Sequence, residues 1–309
     1  MLAREITAHL GGHWYGRYGR CACPVHGGHS DSLQVRDKPT NRDGIDVVCF
    51  AGCDWKEIKA ELSRQGLIDG KAGAAPKINE AELKRIAEQE RRSREKQYQR
   101  ALATWRRSVP NARELHRYLG HERGIELASL GGIPAALRFS CETFHGLTKT
   151  YHPAMVAAIR DATGRFMAVH QTYLAQGGVR KASLDNPKLI LGSCAGGAVQ
   201  LFRIGEEMGV AEGIETALSA TELTGIPCWA LLSTSGLLNF MVPPKVRRVV
   251  IFADFDPVNP RTGNRPGTHA AETLAARLRQ QCVACEIRYP PAGLKDFNDA
   301  LRANRKAAE

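Results

Sequence analysis

Residues 247–256 read RRVVIFADFD. Two arginines lead into an unbroken apolar run rich in β-branched residues, and the run stops at two acids spaced i and i+2. A short apolar run without alternation is the signature of a strand buried on both faces. The chain keeps this rhythm on either side. Upstream, MGVAEG (208–213) reads as a short strand, IETALSATELTG (214–225) as a helix closed by Gly225, and PCWALLS (227–233) as a strand followed by a short helix at 236–240. Downstream, THAAETLAARLRQQ (268–281) reads as a helix with Thr268 as its N-cap, VACEIRYP (283–290) as a strand, and DFNDALRAN (296–304) as the start of a last helix. Strands alternating with helices predict a small parallel sheet with helices on its faces. Functional groups in such sheets gather at the carboxyl ends of the strands.

Acids stand at those ends. Glu212 closes the first strand, Asp254 and Asp256 close the RRVVIFA strand, and Asp296 and Asp299 open the last helix. Any one of them is explained as a helix cap. Several together repel one another unless a cation compensates them. Hard divalent cations prefer carboxylate oxygens and share them with substrate phosphates. The pattern therefore predicts Mg²⁺ or Mn²⁺ held by Glu212, Asp254, Asp256 and Asp296 for phosphoryl-transfer chemistry, with Glu215 as a supporting group.

The N-terminal part carries a different chemistry. Cys23-x2-His26 and Cys49-x3-Cys53 are separated by 22 residues. Two close ligand pairs at that separation predict one structural Zn²⁺ in a closed Cys3His shell. SLQVR (32–36) and IDVVCF (45–50) supply a hairpin between them. The alternative is ordinary buried cysteines and a surface histidine. Cys21 competes with Cys23, the Cys-Pro-x-His turn favouring Cys23, and His29 is a reserve ligand. Trp14, Tyr15, Arg17, Tyr18 and Arg20 just before the site suit either stacking on unpaired bases or a small core. DWKEIKAELSRQGLI (54–68) reads as an amphipathic helix capped by Asp54.

The chain has 309 residues, 43% hydrophobic and 24% charged, which predicts a globular protein of about two domains. No apolar run is long enough to span a membrane and the N-terminus lacks a secretion core, so the expected location is the cytoplasm without a membrane partner. Nine cysteines in such a chain point to metal rather than disulfides. The net charge is +11, and all of it lies in the middle. Residues 1–70 hold 9 basic and 9 acidic groups, residues 206–309 hold 12 and 12, and residues 71–205 hold 22 and 11. Such a concentration suits a polyanion, although a solvated helix surface also explains it. GKAGAAPK (70–77) reads as a linker, and residues 79–107 as one long exposed helix. The helix either spaces domains or lies along a phosphate backbone with Arg91 and Arg92 in contact. Residues 111–139 read as short helices ending at Gly131-Gly132. MVAAIRD, TGR and FMAVHQTYL predict a hairpin, and QGGVRKASLDNPKLILGS a loop carrying Arg180, Lys181 and Lys188.

EGIETALSA (212–220), FADFD (252–256) and KDFNDAL (295–301) resemble the three signatures of a Toprim domain, the catalytic fold of DnaG-type primases, of type IA and II topoisomerases and of certain nucleases. CPVHGG and CFAGC resemble the zinc-binding module of phage- and plasmid-type primases, and residues 153–205 resemble the segment ahead of their Toprim domain. The resemblance implies a metal or acid–base role for Glu212, a metal pair at Asp254 and Asp256, and a later acidic motif at Asp296 with Asp299. It implies a template or nucleotide contact at Lys181, beside Arg180. Two departures stand out: Thr216 occupies a position where DnaG-type enzymes often have Asp, and Cys21 is extra. No G-x-x-x-x-G-K-[ST] loop is present, so a helicase would be a separate protein.

The resulting expectation is an α/β protein with a small zinc ribbon. Residues 1–69 form the zinc-binding module, 70–110 a charged helical linker, 111–205 the first part of a primase core, and 206–309 the Toprim domain. The expected activity is synthesis of short RNA primers from ribonucleoside triphosphates on single-stranded DNA, for phage, plasmid or mobile-element replication. The rivals are a Toprim nuclease and a non-catalytic nucleic-acid-binding protein.

Overall fold

Apolar side chains at alternate positions build the first sheet. Leu33 and Val35 on one strand and Ile45 and Val47 on the next are buried, while their neighbours are not. In the computed structural model, which describes residues 2–15, 18–27, 31–68, 80–258 and 265–308, the chain forms two units, the first made mainly of the residues up to Arg91 and the second mainly of those from Arg92.

The first unit begins with helix α1 (Leu2–His9), which the sequence reading did not anticipate. Strands β1 (His13–Trp14), β2 (Gly19–Cys21), β3 (Leu33–Asp37) and β4 (Ile45–Cys49) follow as one antiparallel sheet in chain order. The expected hairpin is β3–β4. Helix α2 (Trp55–Arg64) starts where the Asp54 side chain accepts the Lys56 N–H at 2.7 Å. Ile6, Leu33, Val35, Ile45, Ile58 and Leu62 make the core. The expected linker at 70–77 lies outside the described residues, as do Arg17 and His29.

Helix α3 (Glu80–Arg107) is the long charged helix. It is not exposed throughout. Ala101 and Trp105 are buried against Ala154, Val156, Ala158 and Tyr173 of the second unit, to which this end of the helix belongs.

In the second unit, helix α4 (Arg113–Leu115) runs into a π-helical turn at His116–Glu122. Strands β5 (Leu137–His145), β6 (Thr150–Arg160), β7 (Phe166–Tyr173), β8 (Lys188–Gly192) and β9 (Ala198–Val199) follow. The predicted hairpin is β6–β7. Two expectations need correcting. The short-helix region ends before Leu137, where β5 starts, and the stretch read wholly as a loop contains β8, paired to β7 from Thr172↔Lys188 to Ala168↔Gly192.

The β/α region holds β10 (Glu207–Ala211), α5 (Ile214–Thr224), β11 (Cys228–Ala230), α6 (Thr234–Leu238), β12 (Arg248–Phe252), α7 (Pro266–Gln280), β13 (Ala284–Arg288) and α8 (Phe297–Ala308). Helix α7 begins at Pro266 rather than after Thr268, because a proline loses nothing at a first helical position, where its missing N–H has no partner anyway. Strands β13, β12, β10 and β11 are parallel. They are not a separate sheet, however. β11 pairs antiparallel with β9, and β9 with β6, so that nine strands form one mixed sheet. Alternate residues of β12 serve its two faces. Val250 and Phe252 pack with Ile214, Leu218, Phe297 and Leu301 of α5 and α8, and Val249 and Ile251 pack with Ala271, Leu274 and Leu278 of α7. Full burial of each such side chain contributes about 1.5–3 kcal/mol.

Candidate active site and metal centre

β10 and β12 are parallel neighbours with Ala211 opposite Phe252, so the chain leaves both strands at one edge. Glu212 follows one strand; Asp254 and Asp256 follow the other. Asp296 sits after β13, the next strand over, and caps α8 by accepting the N–H groups of Asn298 and Asp299 at 2.8 and 2.9 Å. Phe255 N–H donates to the Lys295 carbonyl at 2.7 Å, which ties the Asp254–Asp256 loop to the start of α8. Gly267, in the first turn of α7, leaves the space that the Asp256 carboxylate uses: a Cβ there would stand 2.9 Å from Asp256 Oδ2.

The electrostatics show these groups facing one another. Burial, then the charge of Asp256, raises Glu212 to about 7. Burial, then the charges of Glu212, Asp296 and Asp256, raises Asp254 to about 7. Lys295 opposes both shifts and lies 3.9 Å from Asp256 Oδ1. Asp254 Oδ1 is buried without a hydrogen-bond partner. Raised carboxyls and an orphaned carboxylate oxygen mark an excess of negative charge at this edge, although no three of these acids bring ligand oxygens together as closely as the thiol group of the first unit does its ligand atoms. The sequence reading missed Lys295, although its place beside Asp296 was visible.

Glu215 lies in the first turn of α5 and is buried. Its Oε1 accepts the Tyr118 hydroxyl at 2.6 Å and lies 3.0 Å from Lys181 Nζ, while Oε2 lies 3.5 Å from Lys188 Nζ. Arg123 Nε in turn donates to the Tyr118 oxygen at 3.2 Å. Burial alone would raise Glu215, yet Lys188, Lys181 and Tyr118 hold it well below the usual carboxylate range. Lys181 is thus ion-paired and partly exposed, whereas Arg180 is exposed. Arg91 and Arg92 are exposed on α3, Arg91 pairing with Glu88 at 2.8 Å.

In the first unit, the thiols of Cys23, Cys49 and Cys53 and a ring nitrogen of His26 all lie within 4.8 Å of one another. Among the described residues this is the one such group of three or more potential ligands. His26 Nδ1 faces the sulfurs of Cys53 (3.1 Å) and Cys49 (3.5 Å), and Nε2 meets Ser32 Oγ at 3.0 Å, an outer partner that orients the ring. A hydrogen bond from Cys23 draws the Cys49 thiol below its ordinary value, toward the thiolate. Gly52 takes φ +87° in the turn between Cys49 and Cys53, which a side chain would strain. Cys21 is buried outside the set, its Sγ directed at the Leu33 carbonyl. Trp14 packs on the core, the Tyr15 and Tyr18 rings meet at a tilt of 45° with centroids 5.5 Å apart, and the Arg20 guanidinium lies 4.2 Å over the Phe50 ring.

Comparison with known families matches residues 207–307 to the Toprim domain and residues 95–201 to a domain of unknown function, DUF7146. Residues 207–307 are therefore a Toprim domain, and the acid edge belongs to it. A search of curated proteins finds no match. Among solved structures, the primase fragment of the bacteriophage T7 primase-helicase is similar at 17% identity and a TM-score of 0.41, over 60% of this chain and 70% of that one. The zinc-binding and RNA polymerase domains of the Aquifex aeolicus primase are similar at 15% identity and a TM-score of 0.45, over 99% of this chain and 81% of that one. A DnaG primase catalytic domain bound to single-stranded DNA is similar at 15% identity and a TM-score of 0.45, over 70% and 77%.

Proposed function

We propose that this protein is a DNA primase that synthesises short RNA primers on single-stranded DNA. The observation that carries the reading is the acid edge of the Toprim domain, Glu212 with Asp254, Asp256 and Asp296, in one chain with a Cys3His group. In this reading Cys23, His26, Cys49 and Cys53 hold a structural Zn²⁺, and their module engages template. Asp254, Asp256 and Asp296 hold Mg²⁺ or Mn²⁺ together with Glu212. When bound, the divalent ion neutralises phosphate charge at the reacting centre.

The chain's own groups divide the remaining work. The 3′-hydroxyl oxygen of the growing primer attacks the α-phosphorus, the bond to the bridging oxygen breaks, and pyrophosphate leaves. Glu212, at the end of the strand beside the Asp254–Asp256 loop, is the group assigned to accept the hydroxyl proton. Lys295 offsets part of the upward shift of Glu212 and Asp254. Arg180, Lys181, Arg91 and Arg92 contact nucleotide or nucleic-acid phosphates. The modules are 1–69, 70–110, 111–205 and 206–309. The setting is phage, plasmid or mobile-element replication in the cytoplasm, with a replicative helicase as partner. Among the described residues no helix is long and apolar enough to cross a membrane.

The test is incubation with single-stranded template, Mg²⁺ and labelled ribonucleoside triphosphates. Oligoribonucleotides that require both template and nucleotides support the reading. Template cleavage without nucleotides, and no synthesis with them, means that the acids serve a nuclease instead.

A further inference from the structure

A second charged cluster lies on the same unit, and the metal-type acids are not part of it. Glu215 has 8% of its side chain exposed, Lys181 26% and Lys188 40%. The carboxylate is inside and the two ammonium groups reach outward from it. With Arg123 behind Tyr118, three cations face one buried anion, a surplus of positive charge. The surplus is felt at the acid edge, since Lys188 is the strongest opponent of the upward shift of Glu212. His170 lies in the same field. Its ring is buried, its Nδ1 has no hydrogen-bond partner, and burial followed by the Lys188 charge holds it neutral at about 3.

A buried carboxylate is costly unless cations and hydrogen bonds compensate it. The Tyr118 hydrogen bond fastens the π-helical turn to α5, and the two lysines compensate the carboxylate. With Arg123 the cluster keeps a net positive charge where its ammonium groups reach solvent. Lysine side chains lose much rotamer freedom on binding a ligand. Anchoring both on one fixed carboxylate removes that cost before the ligand arrives. What two oriented, partly exposed ammonium groups accept is a polyphosphate.

We propose that Glu215 is a positioning residue, which holds Lys181 and Lys188 as a paired-ammonium seat for the phosphates of the incoming nucleotide beside Glu212. The identity of that anion rests on the primase reading. Lys188 is accordingly a nucleotide contact, and Glu215 acts only through the lysines.

The experiment is ATP binding by calorimetry in EDTA, so that no divalent ion contributes, together with the KM for ribonucleotides in primer synthesis. E215Q keeps the shape and can still accept from Tyr118, but loses the charge that orients the lysines. The expected result is a rise in the ATP Kd of about tenfold or more, the scale of one charge-assisted hydrogen bond. KM rises in parallel, and kcat at saturating nucleotide changes little. K188A has the same effect, and the double variant E215Q/K188A is no weaker than the worse single variant, because both break one unit. E215Q that melts earlier yet binds ATP with unchanged Kd, or that binds it more tightly, overturns the proposal. If E215Q does not fold, K181M and K188M carry the test, and an unchanged ATP Kd in both overturns it. Metal-free ATP binding that is sensitive to Glu215, in a protein that makes no primers, leaves the seat standing and removes the primase reading. Primer synthesis by a protein whose ATP affinity ignores Glu215 does the reverse.

Discussion

Asp254 faces Glu212 across the edge of two parallel strands, and after burial the Glu212 charge is the main cause that raises the Asp254 carboxyl to about 7. Glu212 is itself raised to about 7 by burial and Asp256. Both folded-state values lie above the ordinary ones. The folded protein therefore keeps protons that the unfolded chain releases between about pH 4 and pH 7, and raising the pH through that window lowers stability. In EDTA, wild-type protein is expected to lose about 1–3 kcal/mol of stability between pH 5 and pH 8, a discounted figure for two buried groups in one acidic cluster. Asp254→Asn removes much of that loss. Chemical denaturation at the two pH values measures it.

The same shifts set the pH dependence of function. A divalent cation needs the deprotonated carboxylates, so Mg²⁺ affinity and primer synthesis are expected to rise from pH 6 to pH 8 and level off above the shifted values. Titrating Mn²⁺ binding against pH checks this. Affinity that falls with rising pH contradicts it.

The thiol cluster separates two cysteines only two residues apart. Protein purified without chelator is expected to carry about one Zn²⁺. Cys49→Ser or Cys53→Ser loses the metal and unfolds the first unit, while the Toprim domain keeps its fold. Cys21→Ser, whose sulfur lies outside the set, keeps the zinc. Metal analysis of the three variants distinguishes them, and zinc lost with Cys21 but not with Cys49 contradicts the assignment.

The parts of the molecule that the sequence made visible are those with local causes. The run VVIF is apolar without a break because both faces of β12 are covered, and its two acids mark the edge where the chain leaves the strand. Cys23, His26, Cys49 and Cys53 were legible because their spacing is local. The misses have non-local causes. β8 follows an Asn-Pro turn signal and is a strand through its pairing with β7. The two-residue β9, which joins the parallel strands to the antiparallel ones, is too short to show a period. The pairing of Lys181 and Lys188 with Glu215 depends on tertiary folding. Its one local hint was a glutamate inside the otherwise buried helix start IETALSA.

The charged helix gives a clean contrast. If α3 runs along a phosphate backbone, single-stranded DNA affinity falls steeply with salt, because bound Lys and Arg release counterions. Neutralising Arg91, Arg92 and Arg94 together is then expected to lower the slope of log K against log salt by about 2, at roughly 0.7 per lost contact on a single strand. An unchanged slope makes the helix a spacer.

The central claim is that the acid edge performs nucleotide transfer while other surfaces hold the template. Asp254→Asn keeps the shape of the side chain and removes a charge, and Glu212→Gln does the same on the neighbouring strand. The direct measurement is primer synthesis and single-stranded DNA affinity on the same preparations of wild type and the two variants. The expected result is that synthesis falls by orders of magnitude, several kcal/mol or about 3–5 in transition-state stabilisation, while DNA affinity holds or rises. Near-normal synthesis in both variants contradicts the account and reduces the acid edge to a set of helix caps.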